Sequence, residues 1–260
     1  MFINYLKIAL RNIRLQKGYS FINIFGFSIG LTSCLLILLY VAQELSYDRF
    51  HSKADRIYRV TFSGNSDRGK LFSVYTGAPL AAGFRQEFPE IESITRMMRV
   101  GEQVVRYGES TFNEKNILRA DPSFFSVFDF QVLEGDPATA LADPGTVLLT
   151  ETTAKRYFGT TSTIGQILLM GDEGTPYKVT GIVKDVPANS HFDFDMLISM
   201  TGHARAASTN WLNIFLFTYL VLEEGASATE LEAKFPLLYD KYFTPLLQSF
   251  MKISWQEFKE

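Results

Sequence analysis

The sequence predicts an α+β protein in which one N-terminal transmembrane helix is followed by a mixed α/β domain outside the cytoplasm. No charged residue lies between Gly18 and Gln43, and Glu44 is the first acidic residue of the chain. The later residues form short apolar and amphipathic stretches separated by Gly and Pro, a pattern typical of mixed strands and helices. The only cysteine, Cys34, lies in the uncharged run. The exported domain therefore depends on its apolar core and not on disulfides.

A membrane-spanning helix is predicted from Phe21 to Ala42, within the segment 20–43. Thirteen of these 22 positions are Phe, Ile, Leu or Val. At 1.5 Å per residue the helix would measure about 33 Å, which matches a hydrocarbon core of about 30 Å. A cleaved signal peptide is the alternative. However, the run exceeds the roughly 7–15 residues of a signal core, and Tyr40 stands where cleavage requires a small residue.

The charge of the first residues predicts the orientation. Residues 1–19 contain Lys7, Arg11, Arg14 and Lys17 and no acid, so this end should remain in the cytoplasm. The helix would then cross the cell inner membrane, and the main domain would lie in the periplasm. Subtracting these four positive charges from the total of −3 leaves −7 for the residues that follow. Such an acidic domain has no electrostatic basis for binding nucleic acid.

The segment before the span predicts an amphipathic helix that lies on the inner leaflet. Five of its residues recur at helical spacing, whereas Lys7, Arg11, Arg14 and Lys17 face elsewhere. The five residues are Phe2, Leu6, Ala9, Leu10 and Ile13. Membrane lipids are then the first expected partner. The alternative is a basic flank that only fixes topology.

A stripe of small residues lies within the predicted span. Gly26, Gly30 and Cys34 are spaced four residues apart, so they share one helix face. Small residues allow a second helix to approach closely, which favours a homodimer or another helix as membrane partner. The alternative is that glycine is simply common in membrane helices.

Strand patterns recur through the exported part, residues 44–260. A strand is predicted from Ile57 to Phe62, a turn from Gly64 to Lys70, and a hairpin that turns at Gly108. The last apolar run, Trp211 to Leu222, is too short for a second span and predicts a buried strand. The other predicted strands are LFSVYT, ESITRMMRV, NILRAD, TVLLT, QILLM, YKVTGIVKDV and FDFDMLISM.

Helices are predicted where capping residues precede apolar positions. One begins near Pro79 and stops at Pro89, with Leu80, Phe84 and Phe88 on one face. Another is expected from Glu151 to Phe158, capped by Thr150 and ended by Gly159. A short helix is predicted from a cap at Asp121 and Pro122 through Phe125, and a capping box at Ser227 and Glu230 opens a helix that Pro236 interrupts.

A repeated pattern suggests how the exported part is divided. The form F-x-x-x-F-P at Phe84 to Pro89 recurs as L-x-x-x-F-P at Leu231 to Pro236. Two related strand-and-helix units are therefore expected on either side of a central insertion. Residues 44–105 and 200–260 would form a strand-helix subdomain, and residues 106–199 a β-rich inserted subdomain.

Two catalytic signatures fail on their context. Gly26 to Gly30 reads G-x-S-x-G, but it lies inside the uncharged membrane helix, without the strand or the acid and base that a hydrolase needs. Gly64 to Lys70 reads G-x-x-x-x-G-K, but Leu71 follows where a phosphate-binding loop requires Ser or Thr. We therefore expect no catalytic residue, no cofactor and no enzyme activity.

Two clusters have some features of metal sites. His191, Asp193 and Asp195 would share one face of a strand, and Asp48, His51 and Asp55 have near-helical spacing. Neither set matches a familiar site, and hydrogen-bonded or surface roles suit these residues better. No metal ligand is assigned.

Several longer stretches carry a resemblance to one known family. They are LKIALRNIRLQKGYSFINIFGFSIGL, ELSYDRFHSKADRIYRV, TGAPLAAGFRQEFPEIESITR, ADPSFFSVFDFQVLEGDPATAL, LTETTAKRYFG and YKVTGIVKDVPANSHFDFDMLISM. Together they resemble MacB-like ABC transporter permeases of the macrolide-exporter and lipoprotein-release type. The likeness covers nearly all 260 residues and rests on the order and combined extent of the stretches.

The resemblance implies one membrane helix, a periplasmic core domain of two α/β parts and then three further membrane helices. It also implies a dimer driven by a separate or fused cytoplasmic ATPase, with a periplasmic adaptor as a further candidate partner, and a mechanical mode of action. This chain departs from the pattern because it stops before a second membrane helix. An N-terminal fragment or a truncated permease is therefore expected.

The sequence is consistent with two functions. The first is a permease component of an export or mechanotransmission complex that couples ATP hydrolysis by a partner to substrate handling in the periplasm. The second is a membrane-anchored periplasmic binding or sensor module without transport activity. Further apolar spans encoded downstream of Glu260 would favour the first.

Overall fold

The computed structural model describes residues 2–66, 69–159, 163–211 and 213–245. The C-terminal stretch QSFMKISWQEFKE lies outside the described residues.

Two compact units make up the chain. Met1–Asp48 form the first unit and Arg49–Glu260 form the second.

Two helices form the first unit. Helix α1 covers Phe2–Leu15 and helix α2 covers Lys17–Glu44, with a break at Gln16, whose φ of −115° and ψ of 57° are not helical. The predicted span lies wholly within α2, which has no buried residue and is long and apolar enough to cross a membrane. The predicted apolar helix is therefore confirmed.

One large sheet dominates the second unit. The strands are β1 Ile57–Val60, β2 Phe62–Ser66, β3 Gly69–Ser73, β4 Thr76–Gly77, β5 Ile91–Arg99, β6 Gln103–Tyr107, β7 Ser110–Glu114, β8 Ile117–Ala120, β9 Val132–Glu134, β10 Thr146–Thr150, β11 Ile167–Met170, β12 Thr175–Val183, β13 Met196–Ser199 and β14 Ile214–Leu222. Among the described residues the large sheet has twelve strands. Ten follow the order β1-β14-β5-β8-β13-β10-β12-β11-β6-β7, with β4 beside β14 and β9 beside β12, while β2 and β3 form a separate hairpin.

Short helices connect these strands and cover the sheet. They are α3 Leu80–Glu87, α4 Phe124–Val127, α5 Glu151–Phe158, α6 Ala228–Glu232 and α7 Phe235–Tyr242. The mixture of helices with a mostly antiparallel sheet confirms the α+β class. Parallel pairing occurs between β10 and β12 and between β8 and β13.

Strand β14 lies between β1 and β5, next to the edge of the sheet. It pairs antiparallel with β1 on one side and with β5 on the other, so β1 and β5 run parallel to each other. Tyr219 and Val221 face a cluster of phenylalanine rings, whereas Leu220 and Leu222 face the helices α3 and α7. Burial on both faces explains why this strand has a continuous apolar run and no alternation.

The phenylalanine rings form the centre of the core. Phe124 is fully buried, and its ring centroid lies 5.2 Å from that of Phe128 and 5.7 Å from that of Phe130. Phe192 and Phe194 complete the group. These residues come from α4, from the segment after it and from the loop before β13, so aromatic packing joins distant parts of the chain.

Local capping signals were largely correct. The Thr150 side chain accepts a hydrogen bond from the Thr153 N–H, and Gly159 ends α5 with a φ of 69°. The Ser227 hydroxyl accepts from the Glu230 N–H at the start of α6. The chain reverses at Gly108, as predicted, between β6 and β7.

One local prediction was wrong and another was correct only in part. Asp121 and Pro122 do not cap a helix, because α4 begins at Phe124 after Ser123 and the Asp121 carboxylate binds Arg96 instead. The chain reverses within the turn predicted from Gly64 to Lys70, but the strands reach further into it than expected, since β2 runs to Ser66 and β3 begins at Gly69. The periodic apolar signal ends before these strands do, since they lie outside the main sheet.

We expect Phe124→Ala to lower the free energy of unfolding by about 3–5 kcal/mol, since it removes a large buried side chain and leaves a cavity. Leu133→Ala is the control, because Leu133 is exposed and its loss should cost less than about 0.5 kcal/mol. Chemical denaturation of the detergent-solubilised chain would measure both. Equal effects would contradict the assigned core.

Candidate functional site

The second unit begins with a short segment that is fixed to the sheet at several points. We call residues 49–56 the anchor segment. In the sequence it follows directly after the residues that leave α2, and it leads into β1. A one-turn helix from Ala54 to Arg56 ends it. Any movement of the chain that enters the domain must pass through these residues.

His51 is the buried point of the anchor segment. Its side chain is only 4% exposed and lies among the rings of Phe50, Phe128 and Phe130, with centroid distances of 4.0, 5.2 and 5.4 Å. The Nδ1 atom accepts a hydrogen bond of 3.0 Å from the Asp129 N–H. The imidazole is thus held by both apolar packing and a directional bond.

Asp129 completes a reciprocal pair of hydrogen bonds. Its N–H donates to His51, and its carboxylate accepts from the Ser52 N–H. The bonded residues are 77 and 78 positions apart in sequence. Two bonds in opposite directions fix the position at which the anchor segment crosses the domain.

Glu92 provides the charged part of the attachment. Its carboxylate accepts from Lys53 Nζ and from Arg56 Nη1, each at 2.6 Å. These hydrogen bonds, from Lys53 first and Arg56 second, lower the pKa of the Glu92 carboxyl. Lys53 also donates to the Ser126 carbonyl, and Arg56 to the Leu222 carbonyl. The segment is therefore bonded to the starts or ends of β5, α4 and β14.

Another ion pair, between Arg96 and Asp121, lies further along β5. Arg96 binds the Asp121 carboxylate through Nε at 2.8 Å and Nη2 at 2.9 Å, while its Nη1 donates to the carbonyls of Ala78 and Ala206. Both charged side chains are mostly buried, at 18% and 14% exposure. A planar fork suits this paired geometry, which a lysine would not reproduce.

The residues predicted for membrane contacts lie on the two helices of the first unit. Gly26, Gly30 and Cys34 are on α2, and apart from the adjoining backbone of the helix no atom lies within 4 Å of a Cβ placed at either glycine. Lys7, Arg11, Arg14 and Lys17 are all exposed. Packing by the stripe and lipid contact by the basic residues remain predictions.

The structure gives the candidate metal residues other partners. His191 Nε2 lies 2.7 Å from the Tyr219 hydroxyl, and Asp193 accepts from the Asn116 side chain. Burial raises the pKa of the Asp195 carboxyl, and the nearby Asp193 charge adds to this. Within the described ranges, no three His, Cys, Asp or Glu side chains are grouped to hold a metal ion.

Sequence reasoning missed the contacts of the anchor segment. His51 was considered only with Asp48 and Asp55 as a metal pattern, and Glu92 carried no signal. The spacing of Lys53 and Arg56, three residues apart, is a signal that could have indicated a shared face. Their partner lies 39 and 36 residues away and could not be identified by spacing.

Comparison with known proteins gives a consistent assignment. The family model described as the MacB-like periplasmic core domain matches residues 20–236. A crystal structure of a domain of a protein described as a permease from Porphyromonas gingivalis is 24% identical, with a TM-score of 0.69, and the match covers 78% of this chain and 87% of that one. The periplasmic region of MacB from Actinobacillus actinomycetemcomitans is 16% identical, with a TM-score of 0.52, covering 82% and 91%. No curated protein matched significantly.

The ion pairs of Glu92 predict a pH dependence of stability. A carboxyl whose folded pKa lies below its ordinary value of 4.5 stabilises the fold above that value, and the contribution is lost as the pH falls through the folded pKa. Denaturation of wild type and Glu92→Gln between pH 3 and 7 should therefore show the larger difference at about pH 7, shrinking below about pH 4.5.

Glu109→Gln is the matched control, since Glu109 is an exposed glutamate in the turn between β6 and β7. Its pH profile should follow the wild type. A constant difference between wild type and Glu92→Gln at every pH would contradict the ionic role of Glu92.

Proposed function

Because the chain belongs to the MacB-like periplasmic core domain family, we propose that it is the permease component of an ABC-type export or mechanotransmission complex. In this proposal a cytoplasmic partner hydrolyses ATP, and the periplasmic domain handles the substrate. The observation that carries the proposal is the anchor segment. It connects the chain that leaves the membrane helix to strands β5 and β14 through hydrogen bonds and ion pairs.

The proposed location is the cell inner membrane, with the N-terminus in the cytoplasm and the main domain in the periplasm. The basic residues Lys7, Arg11, Arg14 and Lys17 support this orientation, because cytoplasmic flanks are enriched in Lys and Arg. Helix α1, lying on the inner leaflet, would then be the first element to sense movement of a cytoplasmic partner.

The proposed partners follow from the two ends of this connection. Gly26, Gly30 and Cys34 would form the contact of α2 with a second copy or a related permease, since small residues permit close helix packing. The ATPase would act from the cytoplasm, and a periplasmic adaptor is a further candidate for the outer surface. We keep the division into a strand-helix subdomain and an inserted subdomain, residues 106–199, as part of this proposal.

The anchor segment suits transmission for a physical reason. A loosely held linker would absorb a displacement of the membrane helix by changing its own backbone angles. Hydrogen bonds to Ser126, Asp129 and Leu222 and the ion pairs with Glu92 prevent this. Movement would instead reach the paired strands β5 and β14, which carry the core rings on one face and helices α3 and α7 on the other.

The topology is tested by thiol labelling in a Cys34→Ala background, which removes the only native cysteine. Glu109→Cys should react with an impermeant reagent added to cells whose outer membrane has been permeabilised. Asn12→Cys on α1 should react only after the inner membrane is opened. The opposite result would overturn the orientation and, with it, the proposed coupling.

Transmission is tested on the native complex, isolated from its own membranes through a tag on this chain and placed in nanodiscs. A fluorophore at Glu109→Cys should report a change when Mg-ATP is added. The double variant Lys53→Ala/Arg56→Ala should lose this change while ATP hydrolysis continues, because the attachment to Glu92 is removed.

The matched control is Glu151→Ala/Lys155→Ala, which removes an exposed ion pair on α5. It should keep the response. A response that survives in the anchor variant would contradict the mechanism. A tagged chain that brings no ATPase with it would instead favour the membrane-anchored binding or sensor module.

A further inference from the structure

A groove opens on the surface of the second unit where β5 ends and β14 begins. Its volume is about 310 Å³, at the lower end of the range of about 300–1,000 Å³ that small-molecule sites occupy. Tyr75, Phe215 and Phe217 contribute aromatic rings to its lining, and Arg99 and Arg205 contribute two guanidinium groups. The coupling proposed above uses none of these five side chains.

The aromatic rings form a fixed but partly uncovered surface. Phe217 packs against the phenylalanine cluster of the core, which holds its ring in place. The Tyr75 ring lies against it, with the two centroids 4.7 Å apart, and Tyr75 keeps 42% of its surface exposed. A ligand with an apolar ring or chain would cover this surface, and its removal from water would favour binding.

Arg205 brings a positive charge to this aromatic surface. It belongs to the one-turn helix Ala204–Ala207, and its guanidinium carbon lies 4.1 Å from the ring centroid of Phe215. The attraction between the cation and the ring holds the guanidinium at the groove. Arg99, the last residue of β5, is exposed and adds a second positive charge.

Neither of these two charges is neutralised by a neighbouring side chain. Among the described residues, Arg99 and Arg205 take part in no ion pair, whereas Arg96 on the same strand β5 binds Asp121. This part of the chain nevertheless has more carboxylates than cations, with a net charge of −7 after residue 19. A guanidinium presents paired N–H donors that match the oxygens of a carboxylate or a phosphate.

A nearby histidine responds to the positive charge of this region. Burial lowers the pKa of His203, and the charges of Arg119 and Arg205 lower it further, because they disfavour the protonated imidazole. Arg205 therefore lies in a locally positive part of an acidic domain.

We propose that this groove binds a small, water-soluble, amphipathic anion. The apolar part of the ligand lies on Tyr75 and Phe217, and its carboxylate or phosphate accepts hydrogen bonds from Arg99 and Arg205. The apolar contact favours binding of any molecule of this shape, whereas the two arginines select the anion over its neutral counterpart. The site is independent of the coupling proposed above and is compatible with a binding or sensor module as well.

A ligand-observed NMR titration tests the site with two probes of one shape. The full-length chain is placed in nanodiscs of phosphatidylcholine, which carry no net charge, and empty nanodiscs serve as the blank. 2-Naphthoate carries a carboxylate, and 2-naphthalenemethanol is its neutral counterpart. The wild-type chain should bind 2-naphthoate at least about ten-fold more tightly, as expected when a hydrogen bond to a charged group is gained.

Single variants assign this binding to the groove. Arg99→Gln and Arg205→Gln should each weaken the binding of 2-naphthoate about five- to ten-fold and leave the binding of the neutral probe unchanged. Lys178→Gln is the matched control, because it removes one positive charge from an exposed position on β12. It should leave both affinities unchanged. The melting temperature of each variant shows whether it is folded.

Three outcomes would overturn the proposal. The first is equal affinity of the wild-type chain for the two probes, which would show apolar adsorption without selection of the anion. The second is wild-type affinity for 2-naphthoate in both arginine variants. The third is an absence of binding to the wild-type chain at millimolar probe concentration.

Discussion

The burial of His51 among phenylalanine rings is the contact on which the attachment of the anchor segment depends. It brings the segment that follows the membrane helix into the same cluster as Phe124, Phe128 and Phe130. The core of the domain and the entry of the chain are thus one packed structure. Through Tyr219, the same cluster contacts β14, whose opposite face supports α3 and α7.

The two kinds of attachment differ in strength. Ion pairs between exposed groups, such as those of Lys53 and Arg56 with Glu92, typically contribute about 0–1 kcal/mol each. A buried aromatic contact and a hydrogen bond to a buried ring contribute more, and leaving such a group without its partner costs about 1–3 kcal/mol. His51 should therefore hold the segment in place, whereas the Glu92 pairs should fix its direction.

Local signals allowed much of the fold to be predicted. The membrane helix, the cap at Thr150, the turn at Gly108 and the buried run in β14 follow from short stretches of sequence. The contacts of the anchor segment and the ion pair between Arg96 and Asp121 could not be predicted in this way. Their partners are 25 to 78 residues apart, and one sequence gives no information on such pairs. Asp121 illustrates the difference: next to Pro122 it has the pattern of a helix cap, but a distant arginine determines its role.

Hydrogen exchange of the full-length chain tests most directly whether the anchor segment is a rigid part of the domain. The amides of Ser52, Ala54, Arg56 and Asp129 are hydrogen-bonded, so we expect them to exchange as slowly as the strands β5 and β14. His51→Ala should accelerate their exchange while β10 and β12 remain protected. If these amides exchange at the rate of an open loop in the wild-type chain, the anchor segment is not a rigid part of the domain.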